Sequence, residues 1–254
     1  MKTIVRFPAE SRLNQNNMIF NKIIFAVLII FPSFSAFSQS VKKPEVFVLS
    51  TLHQHHAESK YYSFETLSKI VEKLRPDVLA VELTPADLAS RRDQKTKQEY
   101  QKSIFPLVDR HRFKTVAMEP AEPKFSEMVS LIRDSEKDLK EKTPEKAAAF
   151  SLYVETLYDY LFEFWDSPRA VNSARTDAFF EVKHEYQNAL FDERQKRGWE
   201  NWNAHFLSQI LDVAKTNPGK RVVVTVGAEH SFWLRKRLRE NEEVKFLEAE
   251  KILK

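Results

Sequence analysis

No cysteine occurs in the 254 residues. Its absence rules out disulfides, thiolate nucleophiles, Cys-based metal sites and a lipid-bearing amino-terminal cysteine, so stability must come from a packed core and any metal from His, Asp, Glu or Asn. Glycine is almost as scarce, with three in the chain. There is no Gly-rich loop to cradle phosphates, no H-E-x-x-H stretch and no serine nucleophile elbow, which disfavours those mechanisms. A surplus of one charge is missing too. The formal net charge is +4, but residues 1–38 hold four Lys/Arg and one Glu, leaving 36 basic against 35 acidic residues downstream. That balance argues against a nucleic-acid footprint. Lastly, the apolar run Ile23–Phe31 is only nine residues long, short of the roughly 20 that a spanning helix needs.

That run instead has the grammar of a secretory signal. Lys22 supplies the charged flank, and Ala36-Phe-Ser38 places small residues for cleavage before Gln39. We read residues 1–38 as the signal, with Met18 as the true start. This implies an exported protein, periplasmic or extracellular, with no membrane span after cleavage. The remainder, 39–254, is long enough for a single α/β domain, and 43% hydrophobic residues can furnish its core.

The most informative stretch is Arg221–Leu234. Four valines and Thr225 at 222–226 read as a strand buried on both faces, hence parallel. Gly227 follows directly, as expected where the backbone must adopt a conformation costly to other residues. His230 then lands at the carboxyl edge of the strand, where open parallel sheets bind ligands. Val46–Leu49 has the same grammar, with Ser50 and then His53 on a polar loop that also carries His55 and His56. Helical spacing over Tyr62–Leu74 ends at Arg75-Pro76, and a second strand runs Val78–Leu83, making a strand-helix-strand unit with parallel neighbours. Glu82 near its end is costly unless paired. Either it meets a cation such as Arg91, Arg92 or Arg175, or it sits beside His53 one strand over. Pro85 opens a charged helix, Ile104–Arg110 is a short apolar piece, and a third strand, Lys114–Glu119, ends in another acid.

From about 122 to 190 only helical pattern appears, so we expect a helical insertion between the third and fourth strands. Its aromatic stripe, which includes Phe150, Leu152, Tyr160, Leu161, Phe164 and Trp165, reads as core or a packing seam. The helix from Trp199 to Val213 turns Asn203 inward, a buried amide in need of partners. Val244–Leu247 completes an α/β fold with a mostly parallel central sheet of about five strands and flanking helices.

The small-x-x-His strand end, Arg75-Pro-Asp-Val-Leu-Ala-Val-Glu82, the late Asn203-x-x-Phe-x-x-x-Ile210 and Val226-Gly-Ala-Glu-His230 together resemble the TraB/GumN/Tiki family, within the wider haem-uptake and erythromycin-esterase-like superfamily. The likeness covers roughly 45–248. It implies an α/β fold with two motif histidines, His53 and His230, an acid at Glu82 and an amide at Asn203 converging on one site. It further implies metal-dependent peptidase activity, with ester hydrolysis or haem binding in more distant members. Ser50 stands where the first motif glycine belongs and Trp202 where an arginine belongs; Arg175 is the candidate to replace that guanidinium.

Two imidazoles and a carboxylate suit an open divalent-ion site in which bound water becomes the nucleophile, and the donor set does not name the ion. The expectation is a metal-dependent hydrolase acting on a peptide or small molecule. Its metal set is His53, His230 and Glu82, its catalytic set Glu82, Asn203 and Glu119, and its accessory candidates His55, His56 and Arg175. The alternatives are a haem- or iron-binding uptake protein and a folded family member without catalysis.

Overall fold

The computed structural model describes residues 42–253, so the signal read at 1–38 lies outside the described residues. Five strands form one sheet: β1 (Glu45–Thr51), β2 (Val78–Val81), β3 (Lys114–Ala117), β4 (Arg221–Gly227) and β5 (Lys245–Phe246), in the order β3-β2-β4-β1-β5. Every pairing is parallel, in agreement with the α/β class read from the sequence. The helices are α1 (Phe64–Leu74), α2 (Pro85–Ser90), α3 (Phe105–His111), α4 (Lys124–Lys142), α5 (Pro144–Phe164), α6 (Pro168–Val171), α7 (Ala174–Leu190), α8 (Glu193–Thr216), α9 (Ala228–Arg239) and α10 (Ala249–Ile252). Five of them, α4 to α8, lie between β3 and β4.

Period-two alternation explains the layering. Phe47, Leu49, Leu79, Val81 and Val223 face a core shared with Leu67 and Val71 of α1 and Leu161 and Phe180 from α5 and α7. Their neighbours Val46, Val48, Ala80, Val222 and Val224 face the opposite way, onto Phe206 and Ile210 of α8 and Leu234 and Leu238 of α9. A sheet covered on both sides needs the near-continuous apolar strands seen here.

One expectation is corrected. β1 and β2 are not neighbours, because β4 lies between them. The two ends of a strand-helix-strand unit need not be adjacent in the sheet, and the all-valine β4 is the strand best able to be buried on both sides. From β1 the chain crosses in one direction, packing α1 on one face; from β4 it crosses in the other, packing α9 on the opposite face. Loops that part this way open a crevice at the carboxyl end of the sheet.

Smaller corrections follow from local chemistry. β2 stops at Val81 and β3 at Ala117, so Glu82 and Glu119 stand just beyond the ladder. α1 begins at Phe64, because Ser63 caps it by accepting from the Thr66 N–H, and Tyr62 stays outside. The polar loop after β1 is a 3-10 turn, His53–Ala57. The aromatic stripe of α5 is not a single seam. Leu157, Leu161 and Trp165 are buried, whereas Leu152 and Tyr160 are 65% and 46% exposed.

Below the crevice, Arg235 of α9 is fully buried. It donates to Asp177 (2.6 Å), Ser50 Oγ (2.7 Å), Asn172 Oδ1 (2.7 Å) and the Val48 carbonyl (3.2 Å). Ser50 Oγ in turn donates to Ser231 Oγ at 2.8 Å, so Ser50, where the resemblance called for glycine, belongs to a polar network. Arg235→Met orphans the Asp177 carboxylate and is expected to cost about 3–5 kcal/mol in urea denaturation. Adding Asp177→Asn should restore part of that stability by removing the stranded charge.

Candidate active site

Register carries the site. Thr51 pairs with Gly227, and Val81 with Thr225, so the chains leaving β1, β4 and β2 emerge side by side. His53 follows β1, His230 is the third residue of α9 in its first turn, and Glu82 follows β2. His53 and His230 line one cavity of about 380 Å³, together with His55, Gly227 and residues of α5.

Gly227 is there for space. Its φ of −53° and ψ of 142° are open to any residue, which corrects the expectation of a special backbone conformation. A Cβ on Gly227 would lie 2.5 Å from His53 Nε2. The bare α-carbon therefore lets the His53 ring settle over β4 and reach Glu82, which comes from the strand on the far side. Glu82 Oε2 accepts the Gly227 N–H at 2.6 Å, and its Oε1 stands 3.8 Å from His53 Nε2.

Each histidine is held by its Nδ1. For His53 the partner is Glu99 Oε1 at 2.7 Å, and that same oxygen accepts from Thr51 Oγ1 at 3.1 Å. For His230 it is Asn203 Oδ1 at 3.0 Å. Asn203 is fully buried, as expected, and gives its amide hydrogen to the Trp199 carbonyl at 2.9 Å, so its oxygen is the acceptor that faces His230. Both Nδ1 atoms thus carry the hydrogen, and neutral rings offer the Nε2 lone pair. Trp199 stacks on His230, ring centroids 4.5 Å apart, and fixes its plane.

The two environments pull protonation apart. Burial would lower the His53 pKa, but the Glu99 and Glu82 carboxylates outweigh it and hold the pKa above its ordinary value. For His230 burial wins, and its pKa falls to about 4. Glu82 is buried, which favours its neutral form, yet Lys97 and His53 pull its pKa down to about 2. Glu119 moves the other way, up to about 7, because burial and the charge of Glu82 outweigh Lys97.

Lys97 is the cation that Glu82 required. Its Nζ stands 3.1 Å from Glu82 Oε1, 2.6 Å from Glu119 Oε1 and 3.0 Å from the Glu82 carbonyl. The three arginines considered from the sequence are occupied elsewhere. Arg91 pairs with Asp109, Arg92 with Asp87, and exposed Arg175 lies over the Phe164 ring, outside the cavity lining. Arg175 therefore does not supply the guanidinium that the resemblance called for. Trp202 packs edge-on against Phe125 and Phe206, and a guanidinium at that position would have to enter this aromatic cluster.

Of the accessory candidates, His55 lines the cavity against Phe162. His56 does not: its Nε2 accepts the Leu52 N–H and its Nδ1 donates to the Tyr62 carbonyl, so both nitrogens are consumed in holding the turn. Sequence reasoning missed Lys97, Glu99 and Tyr100. Tyr100 sits at the head of a π-helical turn and its hydroxyl bridges the Glu82 N–H and the Thr225 carbonyl. Their only signal was a charged stretch without apolar period, which reads as solvated surface. Among the described residues, no three His, Cys, Asp or Glu side chains form a group poised to hold a metal ion, and the Glu82 oxygen nearest His53 is shared with Lys97.

Gly227→Ala is expected to overpack the crevice, cost about 1–3 kcal/mol and shift the His53 imidazole NMR resonances, yet cost little in a chain already carrying His53→Ala. Burial lowers the His56 pKa from 6.5 to about 4. The unfolded chain takes up that proton first on acidification, so stability is full above about pH 6.5 and falls by up to roughly 3 kcal/mol towards pH 4. Denaturant titrations across that window should show a shallower decline for His56→Gln. Comparison with models of protein families, with curated proteins and with solved structures finds no match to this chain.

Proposed function

We propose that the chain is an exported hydrolase of a peptide or ester bond. In this reading His53 Nε2, His230 Nε2 and Glu82 hold a divalent ion at the carboxyl edge of the sheet. The observation that carries it is the shared anchoring. Both Nδ1 hydrogens are given to fixed acceptors, Glu99 and Asn203, and both Nε2 atoms belong to rings that line one cavity next to a buried carboxylate. Oriented imidazoles of this kind are the usual second-shell arrangement of metal-binding histidines. His53 and His230 would give the ion two nitrogens from one cavity, and Glu82 Oε1 would be the third donor if Lys97 turned wholly to Glu119. The bound ion would supply a Lewis acid and a water acidic enough to attack near neutral pH.

The chain's own residues supply the rest. Glu99 and Asn203 aim the rings and fix their tautomer. Glu82, ionised through Lys97, serves as ligand or as the base that takes the proton from water, and Glu119, raised to about 7 and bound to the same Lys97 outside the cavity lining, supports it from behind. The leader read at 1–38 supports export, and no helix of the described residues is long and apolar enough to cross a membrane.

A second reading keeps the reaction and drops the ion. It is favoured by the opposed pKa shifts of the two histidines, which make His230 a neutral base and His53 a proton donor. Metal analysis of the purified mature chain separates the two. The metal reading expects about one equivalent of divalent ion, lost in both His53→Ala and His230→Ala. Full retention by both variants, or an active wild type free of metal, rejects it. Titration with haemin is expected to give no Soret shift; a shift dependent on His53 and His230 would move the assignment to haem binding.

A further inference from the structure

Tyr158 and Phe162 stand at positions i and i+4 on one face of α5, and Trp165 follows directly at its carboxyl cap. All three line the cavity that holds His53 and His230. They form a continuous aromatic surface: Tyr158 and Phe162 are 6.1 Å apart between ring centroids, and Phe162 and Trp165 are 5.5 Å apart, edge to face. His55 meets the same surface from the 3-10 turn, 5.3 Å from Phe162. Phe162 is nevertheless 39% exposed. A large apolar ring left that open to water beside two oriented imidazoles has an unfilled partner position.

Among the described residues, the one carboxylate lining the cavity, Glu229, has its charge already matched. Glu229 accepts from the Tyr158 hydroxyl at 2.5 Å and from Lys183 Nζ at 2.8 Å, so its charge is neutralised within the protein. Among the described residues lining the cavity there is no lysine or arginine. Away from the imidazole end, an acidic side chain lying along the α5 face would be desolvated with no lysine or arginine beside it, and a basic one would find the single lining carboxylate, Glu229, already paired. An aromatic or large aliphatic group loses nothing polar and gains contact along the α5 face. The volume of about 380 Å³ is near the lower end of ligand cavities, roughly 300–1,000 Å³, enough for one such group and the bond beside it.

We infer that the α5 face is the specificity wall of the site, selecting substrates with an aromatic or large aliphatic group next to the bond presented to His53 and His230. The selection of substrate rests on the hydrolase reading, but the binding preference does not, and the two are measured separately. Ligand-observed NMR titration with N-acetyl-phenylalaninamide, N-acetyl-alaninamide, N-acetyl-aspartamide and N-acetyl-lysinamide reads the wall alone. The phenylalanine probe is expected to bind about tenfold or more tighter than the other three.

Phe162→Ala should collapse that preference to less than about threefold. Leu152→Ala, an exposed change elsewhere on α5, should leave it intact and so controls for damage to the helix. Affinities equal across the four probes, no binding of any, or a preference that survives Phe162→Ala would overturn the assignment. Turnover of p-nitrophenyl phenylacetate against p-nitrophenyl acetate is the separate arm. Phenylalanine-selective binding with neither ester hydrolysed keeps the wall and removes the hydrolase. Hydrolysis without binding selectivity does the reverse.

Discussion

A carboxylate that is 2% exposed at the rim of an apolar sheet stands only if its surroundings replace the water it has lost, at a cost of several kcal/mol otherwise. Glu82 meets that demand with two donors, the Gly227 N–H and the Lys97 ammonium, and with the His53 ring standing 3.8 Å away. Each of these groups comes from a different part of the chain. The need to satisfy one anion thus ties β4, the segment after α2 and the turn after β1 together. The Tyr100 hydroxyl locks the arrangement by holding the Glu82 N–H against the Thr225 carbonyl.

This constraint also explains why a glycine follows the all-valine strand. β4 lies between the strands that deliver His53 and Glu82, and any side chain at 227 would fill the gap through which the two meet. An unremarkable backbone with a missing Cβ is a steric device, whereas a left-handed glycine is a conformational one. Position 227 is the first kind and Gly219, with φ of 71°, is the second.

The legible part of the molecule was the part governed by period and burial. Valine runs announced parallel strands, prolines marked helix limits, and a lone amide among apolar neighbours marked Asn203 as a buried group in search of partners. Strand order was not legible, because pairing depends on which strand tolerates burial on both faces and on crossover direction, neither of which is local. Nor were the partners of Glu82 and His53. Lys97 and Glu99 sit in a polar stretch that looks solvated along the chain and becomes buried only when a π-helical turn folds it across the strand ends. The aromatic face of α5 was visible as a pattern, but its division into buried, cavity-lining and solvent-facing rings is decided by what packs against it.

The position of α5 has one more consequence. The helix that roofs the crevice belongs to the long excursion between β3 and β4, whereas the imidazoles and the acid stand on the strand ends themselves. Residues on the roof can change without disturbing the sheet or the hydrogen bonds that aim the rings. Such a scaffold lets evolution, or a protein engineer, retune what is accepted while the reactive centre is inherited unchanged.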